Sequence, residues 1–192
     1  MKNILGLLTM ITFVAFAFTN PSERTTAQVD TKESSVMWRG YKVTGKHYGT
    51  VNIQSGSLDF EGEQLVGGEF VMDMNSISCT DLEGGYGDKL VGHLKSDDFF
   101  GVATYPTAAF KITKAISQGK DNRYKLVGDL TIKNTTKQIK FFAEVVGGSA
   151  NAKITIDRSD FDVRYGSGSF FDNLGDKTIY DEFELEVKLV TK

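Results

Sequence analysis

The residues in this chain of 192 that could do chemistry are two His, one Cys and a few clustered serines and carboxylates. A hydrolase needs a Ser activated by a His and a carboxylate. Ser167 and Ser169 lie in YGSGSF, which lacks the G-x-S-x-G elbow, so they read as glycine-loop serines. The GSG and GGYG stretches lack the third Gly and the strand-to-helix setting of a dinucleotide loop. Asp88-Lys89-Leu90 does not supply the Gly-Lys-Ser/Thr of a phosphate-binding loop. Asp81, Glu83 and Asp88 cluster in one glycine-rich loop and Asp157, Asp160 and Asp162 in another. Neither set follows the ligand order of an EF-hand, and both read as solvated turn carboxylates. Two His and one Cys cannot build a zinc cage without carboxylates. His47 and His93 stand far apart, each with no His at i+2 or i+4, and read as hydrogen-bonded structural residues. Cys79 is either a buried small hydrophobe or a free thiol able to cross-link chains, and burial is expected because it shares a strand face with Ile77. No catalytic residue and no metal site is assigned.

Composition narrows the class further. A net charge of −3 without a basic block argues against phosphate-driven nucleic-acid binding. A charged fraction of 24% with 11% aromatics is that of a folded chain. Met1 to Phe18 read MKNILGLLTMITFVAFAF, with Lys2 as a positive n-region ahead of an apolar run of about fifteen residues. That run is a secretory leader in pattern and short for a membrane span. Cleavage fits Ala15-Phe16-Ala17 or Thr25-Thr26-Ala27, so residues 1–27 are assigned to the leader and 28–192 to one exported domain, periplasmic or secreted. No Cys stands just after the apolar run to carry a lipid anchor, and no later stretch approaches 18 apolar residues.

The elements that must position any site are strands, because the dominant period past residue 30 is two. Phe183, Leu185, Val187 and Leu189 share one face, with Glu182, Glu184, Glu186 and Lys188 on the other. Leu126, Leu130 and Ile132 alternate with Asp129, Thr131 and Lys133. Ile139, Phe141, Ala143 and Val145 repeat the pattern, and Asn134-Thr135-Thr136 between these runs predicts a hairpin turn. Ile154 with Ile156, Phe70 with Met72, and Phe110 with Ile112 alternate likewise. Val51 and Ile53 before Gly56, with Leu58 and Phe60 after it, predict another hairpin. The count gives an all-β, antiparallel sandwich or barrel of about eight strands. Leu90 and Leu94 in DKLVGHLKSDD stand at i and i+4, predicting a short helix near residues 88–96, anchored by Phe99-Phe100. The inward faces carry many large apolar residues. Periodicity alone leaves open whether they fill the barrel or line a hollow one.

Several blocks carry a resemblance. Trp38-x-Gly40-x-Lys42-x-x-Gly45-x-His47-x-Gly49 is followed by Gly-x-Leu at 56–58 and GGEFVMDMNSI at 67–77. KLVGHLKSDDFF at 89–100, YPTAAF at 105–110 and IDRSDFDVRYG at 156–166 come after. Together they resemble the YceI-like family of exported polyisoprenoid-binding proteins. Val36, two residues before Trp38, departs from the Gly-x-Trp opening of true lipocalins. The resemblance implies an extended lipocalin-like barrel with a helical element, a long hydrophobic tunnel and no catalytic residues. It also implies a guest such as a polyprenyl chain, an isoprenoid quinone or another long amphiphile, and no other cofactor.

The expected interior contacts are Trp38, His47, Val51, Ile53, Phe70, Met72, Phe110, Ile112, Leu130, Ile132, Phe141, Ile154, Ile156, Phe183 and Leu185. His47 shares the face of Val51 and Ile53 and would be a polar contact inside the tunnel. Polar selectivity belongs at the mouth, where a head group meets Lys, Arg, His or Tyr. Phe99-Phe100 and Phe170-Phe171 hold paired loop positions suited to lining or lidding that opening. The expected partner is a long-chain lipid, with transient membrane contact and a homodimer compatible with it and no nucleic acid. Two rivals stay open at this point. One is a filled structural or protein-interaction barrel; the other is an enzyme of lipid or quinone metabolism, which needs polar groups converging in the pocket.

Overall fold

The computed structural model describes residues 23–119 and 122–192. The leader pattern at Met1–Phe18 lies outside the described residues. The elements run β1 (Arg24–Gln28), β2 (Ser35–Lys42), β3 (Gly45–Glu61), β4 (Gln64–Asp73), α1 (Gly85–Lys95), β5 (Thr107–Ser117), β6 (Arg123–Ile132), β7 (Thr135–Val146), β8 (Ser149–Asp157) and β9 (Ile179–Val190). Every pairing is antiparallel, in the order β3-β2-β9-β8-β7-β6-β5-β4, and β4 pairs back with β3. The result is a closed eight-stranded barrel. β1 is an extra strand on the far half of β3, with Arg24 opposite Glu61 and Gln28 opposite Ser57.

Closure leaves each strand one wet face and one inner face, and the alternating sequence supplies both. On β9, Leu185 stands between Trp38 of β2 and Ile154 of β8, while Glu184 and Glu186 face solvent. Phe142 and Val146 break the alternation of β7 by pointing outward, and the Arg123 guanidinium covers the Phe142 ring at 4.3 Å. β7 and β8 pair only through Ala143–Val146 and Ser149–Ala152, so the two strands part toward the end of the barrel that carries α1.

Three local expectations are corrected. The hairpin at Gly56 does not form: residues 45–61 are one continuous strand. The register shifts between Ile53 and Ser55, a bulge that moves the inward phase from Val51 and Ile53 to Leu58. Gly56 is required by close approach, since a Cβ there would stand 2.7 Å from Cδ1 of Phe70. The β6–β7 turn is Lys133-Asn134, with φ of 49° and 63°, because Ile132 already pairs with Thr135. Ile77 and Cys79 share no strand face, since the chain leaves β4 at Asp73 and both lie in the loop that follows. Ile77 is buried there and Cys79 half-buried. The helix matches its prediction, starting three residues earlier at Gly85.

The barrel ends differ. One is closed by tight turns at residues 62–63 and 147–148. The other carries the long connections, 74–106 with α1 and 158–178. Leu94 and Phe99 of the first are buried, as are Phe161 and Val163 of the second.

Candidate functional site

The barrel encloses a cavity of about 400 Å³ whose wall is almost wholly apolar. It runs from Leu65, beside the β3–β4 turn, to Leu90 and Leu94 of α1. Every strand of the closed ring contributes. Trp38 comes from β2, His47, Val51 and Ile53 from β3, and Phe70 and Met72 from β4. Phe110 and Ile112 come from β5, Leu130 and Ile132 from β6, and Phe141 from β7. Ile154 and Ile156 on β8 with Phe183 and Leu185 on β9 complete the set singled out from the sequence. Met72, Phe110, Phe141, Ile154, Phe183 and Leu185 point inward yet are only half-buried, because their inner faces meet empty space rather than other side chains.

The aromatic rings are placed so that the lumen stays open. Phe70, Phe110 and Phe141 form a row, with ring centroids 6.5 Å and then 5.4 Å apart. The Phe110 ring comes close over Gly128 of β6, where a Cβ would stand 2.5 Å from its Cε2 and Cζ. The row therefore forms one wall instead of crossing the barrel. Trp38 is fixed by its indole N–H, which donates to the Ser78 carbonyl at 3.0 Å. Among the paired Phe, Phe99 and Phe100 reach the wall, whereas Phe170 and Phe171 lie on the surface at 40% and 50% exposure. The expectation that the second pair lines the opening is corrected: both rings stand exposed on the 158–178 connection and neither is on the cavity wall.

Polar groups gather at the α1 end. His47 stands on the wall with Nδ1 2.9 Å from Oδ2 of Asp81. The other Asp81 oxygen accepts from the Tyr48 backbone N–H at 2.9 Å and the Cys79 thiol at 3.3 Å. Asp81 is thus no solvated turn carboxylate but the tie that holds the post-β4 loop to β3. Burial raises the Asp81 carboxyl, but donation from Tyr48, His47 and Cys79 outweighs it and holds the group below its ordinary value.

Arg158, between β8 and the 158–178 connection, is 2% exposed and was not singled out by sequence reasoning. Its Nε donates to the Tyr180 carbonyl at 3.2 Å, Nη1 to Val163 at 2.7 Å and Nη2 to Ile179 at 3.0 Å. Asp181 supplies the counter-charge at 3.3 Å. Burial pushes the guanidinium below its ordinary value, while Asp181 and Asp157 pull it back up. The group is a structural clamp that stands on the cavity wall. A charged residue inside IDRSDF is the sequence signal for it; the carbonyls that hold it come from remote positions.

His93, expected to be a hydrogen-bonded structural residue, is corrected as well. Its ring packs edge-on against Tyr165 and Phe99, with centroids 4.3 Å and 5.6 Å away. Nε2 is buried with no hydrogen-bond partner among the described residues, since aromatic rings surround it. His93, Tyr165 and Arg158 all stand on the cavity wall, as does Lys42 at the rim. Among the described residues, no three His, Cys, Asp or Glu converge as metal ligands.

Comparison with known proteins follows the same lines. A family model for the YceI-like domain matches residues 28–191. The chain is 31% identical to a UPF0312 protein of Vibrio parahaemolyticus over 137 residues, which is 65% of this chain and 69% of the relative. Two further curated relatives are matched over about half of their own length. Among solved structures, BcnA of Burkholderia cenocepacia superposes with a TM-score of 0.68 at 23% identity, covering 84% of this chain and 98% of that one. A polyisoprenoid binding domain from Saccharophagus degradans superposes at 0.58 and 15% identity, over 88% and 97% of the two chains. At these identities the structural likeness concerns the fold.

Proposed function

The chain belongs to the YceI-like family, and from that membership and the apolar cavity we propose that it binds a long-chain lipid inside its barrel. The guest is an isoprenoid, an isoprenoid quinone or a similar amphiphile, held for transport, storage or sequestration. The observation that carries this reading is the lumen of about 400 Å³ in a barrel small enough to be filled by its own side chains. A closed structural barrel has no use for Phe rings laid back against glycine, and filled cores hold few voids larger than a water. Two of the polar groups on the wall are committed to structural contacts, His47 with Asp81 and Arg158 with Asp181. No reaction is assigned to them.

The volume sets a scale for the guest. An apolar cavity of about 150 Å³ accommodates a benzene ring. At that packing, about 400 Å³ takes roughly sixteen carbons, close to three isoprene units. Each buried CH₂ contributes up to about 0.8 kcal/mol before ordering costs are subtracted. Affinity should therefore climb with tail length and level off near fifteen carbons, where the lumen is full. Isoprenoid quinones of increasing length provide the test, read by quenching of the single tryptophan, Trp38, on the wall. Absence of quenching at every length would remove the proposal.

Export belongs to the same proposal. The leader pattern at Met1–Phe18 would deliver the protein to the periplasm or the medium, where an apolar guest needs a carrier between membranes. Brief contact of the α1 end with a bilayer would then load and unload the cavity.

A further inference from the structure

We propose that His93 binds the head group of the guest, and that this head group is uncharged, presenting a carbonyl or hydroxyl oxygen to Nε2. The inference rests on the lipid-binding reading above and specifies the chemistry at one end of it. Nε2 of His93 is buried and unpartnered among the described residues, on the wall of a cavity that is otherwise apolar. A buried polar atom without a partner is destabilising unless something supplies the missing hydrogen bond. Its neighbours cannot do so, because Tyr165 and Phe99 meet the imidazole with ring edges and faces. An oxygen entering with the guest can.

The adjacent cation argues for a neutral head group. Arg158 would be the natural partner of a phosphate. Three backbone carbonyls occupy its nitrogens and Asp181 balances its charge at 3.3 Å. A diphosphate placed beside it would meet the Asp181 carboxylate and compete with three backbone carbonyls for the guanidinium. Lys42 is the other cation on the wall and is half-exposed at the rim, where water competes for its charge. The guest thus lies with its oxygen-bearing end under α1 and its tail toward Leu65.

Calorimetric titration of the full-length protein with three probes tests this. Decylubiquinone carries oxygens and a tail, decylbenzene carries a ring and the same tail without oxygen, and farnesyl diphosphate carries a charged head. Decylubiquinone should bind most tightly. His93→Phe should weaken it about tenfold, the loss expected for one hydrogen bond, while leaving decylbenzene within about twofold. His93→Gln, which can still hydrogen-bond, should restore most of the loss, and ¹⁵N spectra of the wild type should show the His93 Nε2 resonance moving on addition of the quinone. Equal quinone affinity in the wild type and His93→Phe, or tighter binding of farnesyl diphosphate than of the quinone, would overturn the proposal while leaving lipid binding standing. Failure of the wild type to take up any of the three would overturn both.

Discussion

Filling the lumen from within should abolish binding without harming the fold, and Ala152 is the place to do it. Ala152 on β8 stands between Ala143 of β7 and Val187 of β9, three small residues at one height of the barrel, all on the cavity wall. Ala152→Phe adds six carbons pointing into that space. They displace about six guest carbons, worth up to roughly 5 kcal/mol at about 0.8 kcal/mol each. Taken whole, that is more than three orders of magnitude in Kd; after ordering and adjustment, a loss of at least about a hundredfold is expected. The guest-free protein should behave oppositely. At about 24 cal/mol per Å³, filling some 100 Å³ of void stabilises by about 2 kcal/mol. Strain of about 1–3 kcal/mol from an imperfect fit offsets it. The variant should therefore melt within about 5 °C of the wild type. Quenching of Trp38 by decylubiquinone reads the affinity, circular dichroism reads the melt, and Lys153→Ala on the outer face serves as control. Undiminished binding by Ala152→Phe, or a drop of more than 10 °C in its melting temperature, would refute the reasoning, because either result means the space at Ala152 is not the space the guest uses.

Other consequences concern the scaffold. Arg158→Met should lower stability by about 3–5 kcal/mol in denaturant unfolding, because it strands three carbonyls and Asp181. Asp81→Asn should cost about 1–3 kcal/mol and loosen the loop that carries Ser78 and Cys79. Since the Asp81 carboxyl is held below its ordinary value of 3.8, its contribution is complete above that value and disappears as pH falls through the lower folded one. The acid limb of the wild-type unfolding curve should accordingly flatten in Asp81→Asn. Cleavage of the proposed leader after Ala17 would leave β1 whole, whereas cleavage after Ala27 would remove all of it but Gln28. Under the export proposal, mass spectrometry of the mature protein should therefore find an N-terminus upstream of Arg24, and one at Gln28 would contradict the pairing of β1 with β3.

The barrel was legible because burial on one face of a strand writes itself into the sequence with period two. Phe183–Leu189 against Glu182–Lys188 is the plainest case, and the wall of the cavity follows from the same alternation. Legibility failed where three dimensions decide. At Gln54 the extra residue of a bulge changes the phase, and Gly56, needed to admit the Phe70 ring, looked like a turn. Asp81 read as solvated because its partners His47 and Tyr48 come from β3, more than 30 positions away. His93 read as structural because nothing local shows that Tyr165, far along the chain, covers its ring. Whether the inward residues meet one another or an empty lumen depends on the barrel's dimensions, which alternation does not encode.

The central claim is that the lumen holds a lipid. The most direct measurement is to export the protein in its own leader-bearing form, purify it without detergent, and analyse the organic extract by mass spectrometry alongside Ala152→Phe prepared identically. An isoprenoid or similar long-chain amphiphile should be recovered near one molecule per wild-type protein and be largely missing from the variant. Equal lipid in both preparations, or none in the wild type together with no uptake of added quinone, would contradict the account.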